Sequence, residues 1–362
     1  MKTSTIAELV LYGSKHNRDF KKAGLTPREN MLIAYRHGTP PILPNIMLDA
    51  GIMFARPELE RYTGFTRGKD GFGVEWQYQA SVNAPMVVSK PLFEDIADWR
   101  EYVKFPDLDA IDWKAQAEKD LHTNFIAADE KSAARLSKKS NLDGEKLGYF
   151  MVLNGMFERM HALMGFENAL ISLLEDPEAS FDFFSAMADY KIAYFRKIAE
   201  FYPVDVIAAH DDYGAAGGML MSPDTWRTLL KPNLKRMVDA CHELGIIYEH
   251  HSCGFIEPII PDLVEIGVDA LDPLQVVNKN MPEIKQKYQD RLTFVGGIDN
   301  VGVADREGVT EAEVVADYHR CVDTLAPGGS YVVFTSAATS DNIPIMLLEH
   351  LKYGAKKYYR NI

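Results

Sequence analysis

The sequence has few cysteines and no long hydrophobic run, and both absences narrow the class of protein. Its 362 residues include only three cysteines, at 241, 253 and 321, which are too few and too scattered for a disulfide framework. No stretch of about 18 uncharged apolar residues occurs, so the sequence predicts no membrane-spanning helix and no membrane partner. The first 25 residues also lack the continuous apolar segment of a signal peptide. We therefore expect a cytoplasmic protein.

Positive charge is scarce as well. The chain has 39 lysines and arginines against 52 aspartates and glutamates, which gives a formal net charge of -13. Because no basic cluster is present that would neutralise a row of phosphates, nucleic acid is not expected as a partner. The composition, 47% hydrophobic and 25% charged, is that of a globular chain with a large core.

Apolar or β-branched runs alternate with helical patterns, most regularly in the second half of the chain, and this alternation predicts a parallel sheet. The predicted strands are residues 41–50, 148–153, 204–210, 246–251, 268–271, 292–297 and 331–334. The predicted helices are residues 93–104, 112–139, 157–174, 180–201, 223–244, 256–266, 282–288 and 311–325. Neither a G-x-G-x-x-G motif nor a P-loop motif follows any of these strands, which argues against a nucleotide-binding fold.

The number of predicted strands favours a closed barrel over an open, doubly wound sheet. Residues 72–90 would supply an eighth strand, and eight parallel strands close a barrel. We therefore predict an α/β protein, a (β/α)8 TIM barrel that forms one domain over residues 1–362. The N-terminal extension, to about residue 40, is expected to be irregular.

The end of the strand at residues 246–251 carries three side chains of the types that bind metals. Side chains alternate along a strand, so Glu249 and His251 share one face, and Cys253 joins them if the extended conformation continues. A carboxylate, an imidazole and a thiolate are suitable ligands for zinc. The alternative is a structural cysteine beside hydrogen-bonded histidines. In barrels the loops after the strands carry the chemistry, and this position favours the metal site.

The preceding strand ends in a second group of candidate residues. His210, Asp211 and Asp212 are candidate catalytic groups, and Tyr213 is a candidate substrate-binding residue. Adjacent carboxylates at a strand end point to opposite faces, so at most one of them looks into a barrel. The alternative role for either is helix capping or a salt bridge.

Two further residues are candidates for substrate binding. Asp299 follows a Gly-Gly pair at the end of the strand at residues 292–297, where it binds substrate or caps the next helix. Met219 follows another Gly-Gly pair, where it lines a flexible apolar pocket or fills a gap in the core.

These motifs resemble the uroporphyrinogen decarboxylase superfamily of (β/α)8 barrels, and within it the corrinoid-dependent methyltransferases. The branch includes methylcobamide:coenzyme M methyltransferases and the first methyltransferases of O-demethylases. The resemblance rests on Arg28-Glu29-Asn30-Met31, Phe72-Gly73-Val74-Glu75-Trp76, Asp176-Pro177-Glu178, Asp211-Asp212-Tyr213-Gly214, His251-Ser252-Cys253-Gly254, Gly296-Gly297-Ile298-Asp299 and Pro327-Gly328-Gly329.

The sequence departs from the pattern of this superfamily at two places. The decarboxylases bind substrate carboxylates through arginines that follow the first strand. In this chain the corresponding residues, 37–55, contain no Arg or Lys. A polycarboxylate porphyrinogen would leave its anions unpaired there. The thiol methyltransferases bind zinc through His-x-Cys and a distant cysteine. His251 and Cys253 match the first two, but Ala337 stands at the position of the third.

The resemblance therefore implies zinc with an oxygen ligand, from Glu249 or from one of Asp211 and Asp212. It implies transfer of a methyl group from a small-molecule donor, a methoxylated aromatic, to a cobalt(I) corrinoid on a partner protein. A homodimer is a further expectation. The alternatives are a decarboxylase of a non-porphyrin substrate, a metal-free methyltransferase of the same fold, and a non-catalytic protein that binds a corrinoid or tetrapyrrole.

Overall fold

The computed structural model describes residues 3–54, 58–64, 66–79, 84–121, 145–335 and 342–358. The helices of these residues, α1 to α15 in chain order, are Thr3–Ala23, Pro27–Tyr35, Ile46–Asp49, Trp99–Tyr102, Trp113–Leu121, Met156–Met164, Phe166–Glu175, Pro177–Phe201, Pro223–Leu229, Lys231–Glu243, Ile260–Glu265, Met281–Tyr288, Glu311–Leu325, Ile343–Glu349 and Ala355–Lys357. The strands, β1 to β12, are Ala50–Phe54, Arg67–Lys69, Glu75–Gln79, Ala84–Val87, Leu147–Val152, Val206–His210, Gly214–Ala215, Gly218–Met219, Ile247–His251, Ala270–Asp272, Thr293–Val295 and Tyr331–Val332.

The chain divides into two compact units. The first unit comprises Met1–Met53, Asp120–Tyr149 and Asp269–Ile362, and the second comprises Phe54–Lys119 and Phe150–Val268. This division does not test whether the chain folds as one domain, and the single domain over residues 1–362 stays a prediction.

The first unit contains the parallel strands β10, β11 and β12, which are neighbours in that order. Ala270 pairs with Thr293, and Phe294 pairs with Tyr331. All three strands are fully buried, as expected for parallel strands covered on both faces. Helix α13 of this unit begins at a capping box, in which Thr310 and Glu313 each accept a hydrogen bond from the other's backbone N–H.

The second unit contains the parallel pair β6 and β9. Their register runs from Val206 beside Ile247 to His210 beside His251, so both strands end at the same level. The backbone N–H of Asp211 continues the ladder by donating to the carbonyl of His251, at 3.0 Å. Because of this pairing, the residues that follow the two strands are brought next to each other.

The predicted second half of the chain agrees with the structure, except where a glycine or proline interrupts a helix. The helix predicted at residues 157–174 is two helices, α6 and α7, which meet at Gly165 with φ +87°. The helix predicted at 223–244 is also divided, into α9 and α10, because Pro232 in the first turn of α10 has no N–H to continue a ladder. Of the helix predicted at 112–139, the described part is α5, and residues 122–139 lie outside the described residues.

Three predictions for the first half are wrong. The N-terminal extension is helical, since α1 and α2 occupy most of it. The strand predicted at 41–50 contains the short helix α3, capped by Asn45, and β1 begins only at Ala50. Residues 72–90 supply no eighth parallel strand in their described part. They contribute β3 and β4 to an antiparallel sheet of order β2-β3-β4. Their alternating burial is typical of an antiparallel sheet with one face in water.

In the described part of the chain, no helix combines the length and the apolar character that a membrane crossing requires.

Candidate metal centre

Three side chains at the ends of β6 and β9 form a cluster of potential metal ligands. Asp212, His251 and Cys253 each offer one ligand atom, and these atoms lie within 4.8 Å of one another. Nε2 of His251 is 3.4 Å from Sγ of Cys253 and 3.7 Å from Oδ1 of Asp212. All three side chains are only partly buried, so the cluster is open to a further ligand.

The backbone holds this cluster in place. The N–H of Cys253 donates to Oδ1 of Asp212 at 2.7 Å, which ties the carboxylate to the segment that carries the thiol. The chain turns at Gly254, where φ is +79° and where a Cβ atom would lie 2.2 Å from the carbonyl carbon of Gly214. Only glycine permits this approach of the two loops, so the turn that presents Cys253 depends on it.

The cluster fits zinc. Its sulfur, nitrogen and oxygen donors are ligand types that zinc accepts, and three protein ligands with an open fourth position are typical of catalytic zinc. Ligand atoms on a tetrahedral zinc ion lie about 3.3–3.6 Å apart. The two separations from His251 Nε2, 3.4 and 3.7 Å, are close to this range.

His210 supports the cluster through its ring. The imidazole stacks on that of His251, with centroids 3.8 Å apart and planes 9° from parallel. Burial lowers the pKa of His210 well below its usual value, and the charge of His251 acts in the same direction. Its Nε2 atom is buried and has no hydrogen-bond partner among the described residues. A neutral imidazole in this position restricts the rotation of the potential ligand His251.

Asp211 caps helix α6. Its carboxylate accepts hydrogen bonds from the backbone N–H groups of Met156, Phe157 and Glu158, at 2.9, 3.2 and 2.8 Å. The hydroxyl of Tyr213 donates a fourth bond, at 2.8 Å. Burial raises the pKa of Asp211 to about 6 although these donors favour the ionised form. The carboxylate is thus engaged by the helix, while the adjacent Asp212 faces His251 and Cys253.

Two other predicted site residues are fully buried. Tyr213 stacks on His250 at 5.3 Å and donates its backbone N–H to Oγ of Ser252. Glu249 is also inaccessible to solvent and does not belong to the group of three potential ligands. The structure therefore brings Asp212, and not Glu249, to His251 and Cys253. The position of Ala337 lies outside the described residues.

The two remaining predicted substrate residues lie in different units. Met219 lines a cleft of about 580 Å³ in the second unit, whose walls also include Leu170, Leu173, Leu174, Leu220, Met221, Ser222, Pro223, Thr225, Phe255 and Pro258. Asp299 belongs to the first unit. There its side chain accepts from the N–H of Gly302 at 2.8 Å, and its own N–H donates to Asp317. These are the contacts of a capping residue.

Two charged residues near the cluster were not predicted from the sequence. Burial, together with the charges of Asp212 and Asp211, raises the pKa of Glu158 to about 8. Arg61 is a second such residue, and its charge acts on both Glu158 and His210. Neither stands in a motif. Only the position of Glu158 just after the strand β5 would have marked it.

Comparison with known proteins adds a structural and a family relationship. No curated protein sequence matches the chain. A methyltransferase from Methanosarcina mazei has a similar structure, with a TM-score of 0.64 and 15% sequence identity. The alignment covers 91% of this chain and 100% of that one. At this identity the likeness shows a common fold.

The sequence profile of the family "Uroporphyrinogen decarboxylase (URO-D)" matches residues 131–357, which is more than half of the chain and includes all three potential ligands. The parallel strands and their intervening helices are those of the α/β barrel of this family, which confirms the predicted fold class. The chain belongs to the uroporphyrinogen decarboxylase family.

Proposed function

We propose that the protein is a corrinoid-dependent methyltransferase that takes a methyl group from a methoxylated aromatic compound. The observation that carries this proposal is the cluster of Asp212, His251 and Cys253 at the ends of two adjacent parallel strands in a member of this family. Its acceptor would be a cobalt(I) corrinoid on a partner protein that docks over the site. A homodimer is compatible with the same arrangement.

The proposed reaction is a methyl transfer that balances without a further reagent. Cobalt(I) provides the electron pair for the new carbon–cobalt bond and becomes cobalt(III). The bond between the methyl carbon and the ether oxygen breaks, and its electrons leave with the oxygen. The aryloxide then takes a proton from solvent and is released as a phenol.

The donor set suits an ether substrate. Zinc, when bound, would supply a Lewis acid, and a site with one thiolate and one carboxylate leaves it more electrophilic than a site with two thiolates. An aryloxide is a poor leaving group, so cleavage of an aryl ether depends on such assistance. A substrate thiol would depend on it less.

The chain's own residues would hold this site ready before substrate binds. The N–H of Cys253 fixes the Asp212 carboxylate, and stacking on His210 fixes the plane of the His251 ring. Because these supports come from backbone and buried groups, the three donors need little rearrangement when a metal binds. Asp211 contributes by fixing the start of α6, and we assign it a positioning role.

The test is reconstitution with a cobalt(I) corrinoid protein and veratrole, followed by absorption spectroscopy. We expect the spectrum of methylcobalt(III) together with one equivalent of phenol. The variant Cys253→Ala should form neither product. Cys241→Ala removes a buried cysteine of helix α10 outside the cluster and should retain activity. If no compound in a broad panel of methoxylated aromatics methylates the cobalt, the proposal is wrong.

A further inference from the structure

Arg61 occupies a fixed position in the second unit. Its guanidinium lies over the ring of Trp76, 4.7 Å from the centroid, and Nη2 donates to the carbonyl of Pro85. Trp76 is itself held, because its indole N–H donates to Asp70 at 2.8 Å. Asp70 in turn accepts a hydrogen bond from the fully buried Arg159 at 2.6 Å. The indole of Trp76, over which Arg61 lies, is therefore held in a fixed position.

In the described part of the chain, the charge of Arg61 has no close counter-ion. Among the described residues, no carboxylate oxygen lies within 4.0 Å of its nitrogen atoms, and Pro85 is its one hydrogen-bond acceptor. Arg159 differs, since Asp70 and Glu60 lie at 2.6 and 4.0 Å from its guanidinium. A guanidinium has five N–H donors, so most of those of Arg61 remain available to a ligand.

Arg61 also lies within electrostatic range of the metal cluster. The charges of Glu158 and Asp212 act on it, and its own charge acts on His210 and His161. Burial lowers the pKa of Arg61, but a guanidinium stays protonated at neutral pH. The contacts beneath Arg61 lead to the same place, because Arg159 belongs to α6, whose first turn donates to Asp211 next to the cluster residue Asp212. A permanent cation is therefore tied to the elements that position the cluster.

We propose that Arg61 binds a carboxylate of the substrate, so that the preferred methyl donor is a methoxylated benzoate rather than a neutral methoxyarene. This inference rests on the proposed function. A guanidinium forms two parallel hydrogen bonds with a carboxylate, and a flat platform such as Trp76 leaves its edge free for them. One such cation suits one carboxylate. Arg61 precedes residue 131, so it lies outside the part of the chain that matches the family profile.

Equilibrium binding tests this assignment independently of turnover. Isothermal titration of the purified protein compares 3-methoxybenzoate with 3-methoxybenzyl alcohol, which differ in charge and little in shape. A charge-assisted hydrogen bond contributes enough to predict an about 10- to 100-fold preference for the benzoate in the wild type. Arg61→Met keeps an apolar contact with Trp76 and should lose the preference, and Arg61→Lys should retain part of it. Arg236→Met removes an exposed arginine that pairs with Asp189 and should bind as the wild type does.

Thermal unfolding of each variant shows that the protein remains folded. An unchanged preference for the benzoate in folded Arg61→Met would overturn the assignment, because another group would then bind the carboxylate. Cobalt methylation separates the two proposals. Equal methylation from both arenes in wild type and Arg61→Met would reject the role of Arg61 and keep the methyltransferase. Arg61-dependent binding of the benzoate without methylation by any methoxyarene would reject the methyltransferase and keep the anion site.

Discussion

Asp211 is the residue whose replacement should most reduce stability near the site. Its carboxylate accepts three hydrogen bonds from the first turn of α6 and one from Tyr213. An ordinary N-cap contributes about 1 kcal/mol, and each buried donor left without a partner costs about 1–3 kcal/mol. Asp211→Ala orphans the buried Tyr213 hydroxyl and at least one buried N–H group, so we expect a loss of about 3–5 kcal/mol. Asp211→Asn keeps the shape and one acceptor oxygen, so it should lose about 1–3 kcal/mol.

Urea unfolding followed by circular dichroism measures these losses. The control is Ser222→Ala, which removes an exposed cap of α9 that accepts a hydrogen bond from the backbone N–H of Thr225, at 3.0 Å. Its expected cost is about 1 kcal/mol. If Asp211→Ala costs no more than this control, the hydrogen bonds to α6 do not support the fold as argued. Metal content of Asp211→Asn should stay near that of the wild type, since Asp212 is the carboxylate proposed as the ligand.

Three other predictions concern activity, acid stability and helix capping. The protein should not convert uroporphyrinogen to coproporphyrinogen, because residues 37–55 contain no cation and Arg61 suits one carboxylate only; turnover above background in a porphyrinogen assay would show otherwise. Burial, helped by the charge of His16, lowers the pKa of His350 to about 3. The stability that the neutral ring contributes is complete above the unfolded pKa of 6.5. It is lost as the pH falls towards 3, at up to about 1.4 kcal/mol per pH unit. Between pH 7 and pH 4, the free energy of urea unfolding should therefore fall less steeply with pH for His350→Gln than for the wild type. Parallel pH profiles would show that His350 does not contribute this pH dependence. Thr310→Ala breaks the capping box of α13 and should lower the free energy of unfolding by about 1 kcal/mol, with Thr324→Ala inside the same helix as a control; equal losses would argue against the cap.

The sequence predicted part of the cluster of potential metal ligands because strand alternation is a local property. It put His251 and Cys253 on one face, and the structure brings them to 3.4 Å. The third member depends on a neighbouring strand. Glu249 shares the face of His251 by alternation, yet it is fully buried, whereas the three cluster residues are partly exposed. Asp212 reaches the site through the register of β6 beside β9. Pairing register between strands cannot be read from one sequence.

The adjacent carboxylates show the same limit. The sequence predicts that Asp211 and Asp212 point to opposite faces, but it does not tell which of them meets the helix. The close contact between the backbone of Gly155 and Asp211 decides this, since a Cβ atom at Gly155 would lie 2.4 Å from Cβ of Asp211. Helix α6 therefore begins directly on Asp211, and Asp212 is left for the cluster.

The fold was predictable where largely buried strands alternate with amphipathic helices, as in β6, β9 and α13. It was not predictable in residues 72–90, where apolar and polar side chains alternate and the antiparallel partners are close in sequence. Arg61 lies in the irregular segment between β1 and β2, where no periodicity marks it. The role proposed for it depends on its contacts with Trp76 and Pro85, which the chain brings to it from β3 and β4.

The metal content of the purified protein tests the central claim most directly. Elemental analysis by mass spectrometry should find about one zinc per chain in the wild type. It should find little in the double variant His251→Ala, Cys253→Ala, since loss of ligands weakens binding strongly. His242→Ala, an exposed histidine outside the cluster, serves as the control and should keep its zinc. Full zinc occupancy in the double variant, or none in the wild type after growth and purification with zinc, would contradict the proposed metal centre.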